Sequence, residues 1–234
     1  STNTADGDVA VFAPIDIDHA DKLGGTIGEI ATVKSGIIKP NAAVVSAAQQ
    51  SAALSVLATA ARTQGASLAV EGEQFGLLDQ KLAVGGQLLT VRGLAATYDE
   101  LYLPLYGAHQ GHNAALAIAA VESLIGGGSQ PIAADVLADG LGNVTSPGRL
   151  QLVGIAPTVL VDSAHNPHGA RSLVAALSDS FDFDDWGLVL GAFADKDVAG
   201  IVQTLAPAVA HVFATAPESD RAEEPDAVAD LVEQ

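Results

Sequence analysis

The sequence predicts an α/β protein made of two domains, each built around a parallel sheet. Strand-like and helix-like segments alternate over residues 8–70, in the β-α-β-α-β order that is typical of parallel sheets. A second alternation of the same kind begins at Thr158. Between the two lies a rigid Pro-Gly turn within VTSPGRL, residues 144–150. We therefore predict two domains, 1–149 and 150–234.

The composition excludes several classes of protein. Of the 234 residues, 49% are hydrophobic and 4% are aromatic, so the predicted core is mainly aliphatic. The formal net charge of −18 would repel nucleic acid, and the Lys and Arg residues are scattered singly. There is no cysteine, and no apolar run approaches the roughly 20 residues of a membrane-spanning helix. No signal peptide is visible, so we expect a cytoplasmic protein without a nucleic-acid or membrane partner.

The first domain should begin with three strands and two helices. One helical pattern is bracketed by His19 and Lys34, which are ordinary residue types for the start and end of a helix. Asp16 and Asp18 could join His19 in binding a metal, although such a cluster is a weak signal by itself. The predicted strands span residues 8–12, 41–47 and 67–70, and the second predicted helix spans residues 50–64.

A different pattern follows over residues 74–105. Polar and apolar residues alternate there, and Gly85-Gly86 is a hairpin signal. We therefore predict a β-flap of short strands, attached to the α/β core of the first domain.

The next segment, residues 114–125, is apolar nearly all round and predicts a buried helix. His109, Gln110, His112 and Asn113 crowd its N-terminus. The N–H groups at such a helix start have no partner within the helix and often face a ligand. The alternative is that Asn113 or Gln110 only caps the helix.

The second domain opens with TVLVDSAHNPHGARSLVAAL, residues 158–177. Thr158–Val161 suits a strand covered on both faces, while Asn166 and Pro167 suit the N-cap and first position of a helix. The turn that starts at Asp162 would then lie at the carboxyl end of a parallel strand, where open α/β sheets bind ligands. The alternative is that Asp162 and Asn166 only cap the turn.

Arg149 stands on the Pro-Gly turn between the predicted domains. Its guanidinium could form a fork onto a phosphate, or it could pair with one of the many surface carboxylates. The motifs GxxxxGK[ST], GxGxxG and GxSxG are all absent from the sequence. The remaining predicted elements are strands over 187–193 and 211–215, a polar ADKD loop over 194–197, and helices over 198–205 and from Pro225 onward.

Five segments, in this order, resemble the folylpolyglutamate synthase/dihydrofolate synthase family of the Mur ligase superfamily. They are IDIDHADKLGGTIGEIATVKSGIIKP, LPLYGAHQGHNAALAIAAVE, TSPGRLQ, VDSAHNPHGA and ADKD. The resemblance implies the later part of a Mur-ligase-type central ATPase domain, including the flap, followed by a Rossmann-like C-terminal α/β domain. It implies an ATP- and Mg²⁺-dependent amide ligase that adds L-glutamate to a reduced folate or dihydropteroate through an acyl phosphate. We expect such an enzyme to be a monomer.

The resemblance also implies roles for particular residues. His19 would bind magnesium, and Lys34 would carry a carbamate whose oxygen also binds the metal. Asn113 would meet the adenine, Arg149 would reach the ATP phosphates, and Asp162 would hold the nucleotide at the ribose. His165 would act near the phosphate and the incoming glutamate. Catalysis would therefore rest on His165, Lys34 and Arg149.

The sequence departs from the family pattern in several places. The family's phosphate loop lies upstream of Ser1, and the chain lacks methionine, so we expect a part of a longer protein. Val33 and Ser35 stand where Glu and Ala are usual, and Arg221 follows Asp rather than Pro. Two alternatives remain open, namely a Mur ligase of peptidoglycan synthesis and a non-catalytic nucleotide-binding module.

Overall fold

The structure is a computed structural model that describes residues 2–17, 24–183 and 185–233. The chain forms two compact units, one of residues 1–104 with 110–144 and the other of residues 105–109 with 145–234. The division falls five residues before the predicted boundary. Hydrogen bonds from the turn after the eighth strand, such as Ser163 N–H to Gly148 O at 2.8 Å, tie the Pro-Gly turn to the second unit.

The first unit contains a three-stranded parallel sheet in the order β1-β2-β3. The strands are β1 (Val9–Phe12), β2 (Ala43–Ser46) and β3 (Ser67–Val70), and the helices α1 (Ile27–Ser35) and α2 (Ser51–Gln64) connect them. Its hydrophobic core joins strand and helix residues, among them Ala10, Phe12, Ile30, Val44, Ala53 and Leu57.

Helix α1 is shorter than the sequence predicted. It begins at Ile27, because Thr26 forms a capping box with Glu29 and Gly24 adopts φ +116° two residues earlier. His19, on which the predicted start fell, lies outside the described residues.

The segment predicted as a flap forms a three-stranded antiparallel sheet in the first unit. Its strands are β4 (Gly76–Ala83), β5 (Gly86–Arg92) and β6 (Thr97–Leu103), and the helices that follow are α3 (Ala108–Gly126) and α4 (Ala134–Gly142).

Helix α3 differs from its prediction in length and burial. It starts at Ala108, so the polar cluster lies within its first turns rather than before them. The expectation that it is buried all round was wrong, because Val121, Leu124 and Ile125 are 42%, 63% and 45% exposed. Among the described residues, the buried side of α3 is the one that carries residues such as Ala115 and Ile118.

The second unit contains two two-stranded sheets, of which one is parallel and one antiparallel. Its elements are β7 (Gln151–Ile155), β8 (Thr158–Val161), α5 (Pro167–Ser180), β9 (Gly187–Leu190), α6 (Val198–Leu205), β10 (His211–Ala214) and α7 (Pro225–Val232). Strands β9 and β10 are parallel, and α5, α6 and α7 cover them with a core that includes Ala170, Leu190, Ile201 and Val228.

Strand β8 corrects one prediction. The sequence suggested a parallel strand buried on both faces, whereas β8 pairs antiparallel with β7, and Val159 and Val161 are 43% and 44% exposed. The two-residue connection Ala156-Pro157 reverses the chain and brings β7, which was not predicted, alongside β8. The predicted mixed α/β class is nevertheless confirmed. No helix among the described residues is long and apolar enough to cross a membrane.

Candidate functional site

A pocket of about 200 Å³ lies in the second unit, where β8 and β9 end. Two loops form its polar part, one after each strand, and the wall between them is aliphatic. The lining residues include Asp162, Ser163, His165, Leu190, Lys196 and Ile201. The sequence placed a ligand site at the turn after β8, and the structure adds the loop after β9 to it.

Asp162 is half-buried at the start of the turn, and each of its carboxylate oxygens accepts a hydrogen bond from the backbone. Its Oδ2 accepts a hydrogen bond from Leu150 N–H at 2.7 Å, and its Oδ1 accepts one from Ala164 N–H at 2.8 Å. The side chain therefore shapes the turn, as the alternative interpretation expected. Each carboxylate oxygen can accept a second hydrogen bond, so this structural role leaves room for a ligand hydroxyl.

His165 is exposed on the same turn, just before α5. Its Nδ1 lies 3.0 Å from the carbonyl oxygen of Ser163. Because a carbonyl only accepts, Nδ1 carries the proton and Nε2 has a free lone pair when the ring is neutral. Asn166 caps α5 as predicted, accepting from Gly169 N–H at 2.8 Å, and Pro167 takes the first helical turn. The cap fixes the backbone that carries His165.

The loop after β9 contributes Lys196, which the sequence analysis did not single out. Its side chain is 16% exposed, and it lines the pocket. A lysine between two aspartates, in the polar loop that follows a predicted strand, was the signal that could have identified it.

A charged pair holds the same loop in place. Arg221 donates two hydrogen bonds to the carboxylate of Asp195, at 2.7 and 2.8 Å, and stacks 4.8 Å from the ring centre of Phe193. The hydrogen bonds from Arg221 lower the pKa of Asp195 below its ordinary value. The sequence left the role of Arg221 uncertain, and these contacts show that it restrains this loop.

Arg149 is exposed beside the pocket but does not line it. Its backbone N–H closes the Pro-Gly turn onto Ser146 O at 3.1 Å. The contact of Arg149 with a phosphate stays a prediction.

In the first turns of α3, Gln110, His112 and Asn113 belong to the first unit, and His109 belongs to the second. Gln110 is buried, Asn113 is exposed, and Asn113 Nδ2 donates to Gln110 Oε1 at 3.2 Å. The two amides form one small hydrogen-bonding surface on consecutive turns. Lys34 lies elsewhere in the first unit, exposed in the last turn of α1.

Three comparisons with known proteins agree with one another. Residues 148–234 match the model of the Mur ligase, glutamate ligase domain. A dihydrofolate synthase/folylpolyglutamate synthase of Mycobacterium tuberculosis is 42% identical over 98% of this chain and 48% of its own length. The solved M. tuberculosis folylpolyglutamate synthase complexed with ADP superposes with a TM-score of 0.92 at 41% identity, covering 98% of this chain and 52% of that one. An FPGS–AMPPCP–folate complex gives a TM-score of 0.81 at 30% identity, over 87% of this chain and 50% of that chain.

The chain is thus similar to folylpolyglutamate synthases over nearly its whole length. It spans about half the length of the curated relatives that it matches. The resemblance inferred from five short segments is thus confirmed, together with the Mur-ligase-type fold of the second domain.

The metal site expected of a folylpolyglutamate synthase is not assembled by the described residues. Within the ranges that the structure covers, no group of three or more His, Cys, Asp or Glu side chains is arranged to hold a metal ion. Lys34 is described and exposed, whereas His19 falls in the gap at residues 18–23. The assignment of these two residues to magnesium stays a prediction.

Proposed function

We propose that the protein containing this chain is an ATP-dependent ligase that joins L-glutamate to the terminal carboxylate of a folate, or to dihydropteroate. The observation that carries the proposal is the 42% identity to a dihydrofolate synthase/folylpolyglutamate synthase over 98% of this chain. The match of residues 148–234 to a glutamate ligase domain agrees with it. Because the chain spans about half of that relative, the activity is proposed for the complete protein.

The chemistry needs ATP because a carboxylate is a poor electrophile. The folate carboxylate attacks the γ-phosphate of ATP, which gives an acyl phosphate and ADP. The glutamate amine then attacks the acyl carbon, the C–O bond to phosphate breaks, and inorganic phosphate leaves as the amide forms.

Three residues are proposed to bind the nucleotide. Asn113 meets the adenine with its exposed carboxamide, and Asp162 accepts hydrogen bonds from the ribose through its remaining lone pairs. Arg149 reaches the phosphates, where a planar guanidinium can form two parallel hydrogen bonds and offset negative charge. That cation matters more in a chain whose formal net charge is −18.

His165 and Lys196 are proposed to act in the second step, in which the glutamate amine attacks the acyl phosphate. Nδ1 of His165 is engaged with Ser163 O, so Nε2 of the neutral ring can take the proton that the glutamate amine must lose. Lys196 places a positive charge inside the same pocket, where it can hold an anionic group of the substrate. The pairing of Arg221 with Asp195 keeps the loop that carries Lys196 in this arrangement.

The experiment is an ADP-release assay on the full-length protein. A reduced folate or dihydropteroate is supplied with and without L-glutamate and Mg²⁺, and the product is identified by mass. ADP release that requires pterin, glutamate and metal together, with a product heavier by one glutamyl unit, is expected. Turnover with a UDP-linked muramoyl acceptor instead would assign the protein to peptidoglycan synthesis. Nucleotide binding without turnover on either acceptor would leave the non-catalytic module as its function.

A further inference from the structure

A buried carboxylate in the first unit has no part in the steps above. Glu71 is 9% exposed and directly follows β3. Its backbone N–H donates to Ser46 O at 2.9 Å, so it lies where the parallel strands β2 and β3 end. A carboxylate is costly to bury unless its oxygens accept hydrogen bonds. The hydrogen-bond partners of Glu71 therefore show which elements it connects.

The partners of Glu71 come from two different elements. Its Oε1 lies 2.5 Å from Nδ1 of His112 in α3, and its Oε2 accepts from Ala48 N–H, just after β2, at 3.4 Å. An ionised carboxylate only accepts, so Nδ1 of His112 carries the proton in this bond. The His112 side chain is otherwise 55% exposed. The bond thus fastens the second turn of α3 to the ends of β2 and β3.

A second contact holds the same turn from the flap. A Cβ added to Gly111 would lie 2.9 Å from Leu77 Cδ2 and 3.1 Å from Gln80 Oε1, both on β4. Helix α3 therefore approaches β4 as closely as a glycine allows, one residue before His112. This turn of α3 is therefore held on two sides. It packs against β4 of the flap, and it is hydrogen-bonded to Glu71 at the end of the parallel sheet.

The residues fixed in this way, Gly111 and His112, lie directly before Asn113, the residue proposed to meet the adenine. Gln110 precedes Gly111, and Asn113 follows His112, with 3.2 Å between their side chains. A small shift of this turn would move Asn113 with it, and a shift of about 1 Å is enough to weaken a binding geometry substantially.

We infer that the Glu71–His112 pair is a positioning device for nucleotide binding. It fixes the first turns of α3 against the ends of β2 and β3 and thereby sets where Asn113 meets the adenine. The inference rests on the proposed function, which assigns the adenine contact to Asn113. The pair itself acts through α3 and is not a catalytic group.

The test measures ADP binding to the full-length protein by calorimetry, together with KM for ATP and kcat. His112→Leu removes the donor at a half-exposed position, and Glu71→Gln removes the charge. We expect each variant to raise the Kd for ADP and the KM for ATP by roughly tenfold, with kcat at saturating ATP within about twofold of wild type. His112→Gln, whose amide N–H can still reach Glu71, should recover most of the affinity.

The control is Glu73→Gln, which makes the same charge change at an exposed position two residues along the chain. It should leave ADP binding unchanged. Wild-type Kd and KM in both His112→Leu and Glu71→Gln would overturn the inference, as would a loss of kcat without a change in KM. If the wild type binds ADP but joins no glutamate, the proposed function fails while the binding comparison still decides the inference. A wild type that binds no ADP would overturn both.

Discussion

At the scale of single residues, the turn after β8 holds two structural side chains and the proposed proton acceptor within five positions. Asp162 shapes the turn through two backbone hydrogen bonds, and Asn166 caps the helix that follows. His165 stands between them, exposed and with one ring nitrogen free. The fixed neighbours explain how an exposed imidazole can keep one orientation.

The first prediction concerns this imidazole. His165→Ala in the full-length protein should lower kcat by roughly 100-fold or more, because the proton acceptor for the amine is removed while the turn keeps its caps. Steady-state ADP release measures the effect, and circular dichroism checks the fold. His211→Ala is the matched control, because its exposed imidazole lies at the amino end of β10, away from the carboxyl ends where the pocket is. Near-normal turnover of His165→Ala would remove this residue from the mechanism.

At the scale of elements, a buried hydrogen-bond network joins α3 to β6 and to the segment before α4. Glu122 is fully buried, and it accepts from the hydroxyl of Tyr98 at 2.6 Å and from Leu94 N–H at 2.5 Å. The Tyr98 hydroxyl in turn accepts from Ile132 N–H at 2.8 Å. Three segments far apart in sequence thus share one satisfied polar cluster within the core of the first unit.

This network predicts a loss of stability at alkaline pH. Burial, reinforced by the hydrogen bond to Glu122, raises the pKa of Tyr98 above its ordinary value of 10.0. A raised pKa means that the stabilisation is fully present below pH 10 and is lost as the pH rises beyond it. Urea unfolding between about pH 8 and about pH 11 should therefore show a falling free energy of unfolding, since an ionised Tyr98 would face the Glu122 carboxylate.

The Tyr98→Phe variant separates the ionisation of Tyr98 from the other causes of lost stability at alkaline pH. It should cost roughly 1.5–3 kcal/mol at neutral pH, because a buried carboxylate loses a donor, and its unfolding free energy should fall less steeply above pH 10. Tyr102→Phe, at an exposed hydroxyl of the same strand, is the control. An unchanged pH slope in Tyr98→Phe would contradict the role given to the network.

At the scale of the whole molecule, the dominant feature is a formal net charge of −18 on 234 residues. Like charges repel more strongly in the compact state than in the unfolded chain, so this charge should lower stability at low ionic strength. The anionic substrates of the proposed function would meet a repulsive field, against which the proposed roles of Arg149 and Lys196 would act locally.

The corresponding prediction is a rise in thermal stability with salt. Raising NaCl from about 0.01 M to about 0.1 M shortens the Debye length from roughly 30 Å to roughly 10 Å. The expected increase in Tm is about 2–4 °C, which for a chain of this size corresponds to ~1 kcal/mol. Scanning calorimetry measures it. A double variant, Asp6→Asn with Asp220→Asn, should reduce the salt effect, and a Tm that falls with NaCl would contradict the argument.

The sequence by itself determined the local elements and the family resemblance. Alternating patterns and caps predicted α2, α6 and the start of α5 within a residue or two, because propensity, capping and periodicity act over a few positions. Five short motifs in order identified the resemblance to folylpolyglutamate synthases, and the comparisons confirmed it.

Only the tertiary structure decided what depends on contacts distant in sequence. It showed that β8 pairs antiparallel with β7, that Lys196 and His165 share one pocket, and that Glu71 meets His112 across 41 positions. The physical reason is that a strand's partner and a buried charge's partner are chosen by the packing of the whole unit. A local sequence pattern indicates which element a segment can form. Which side chains then meet is decided by the fold.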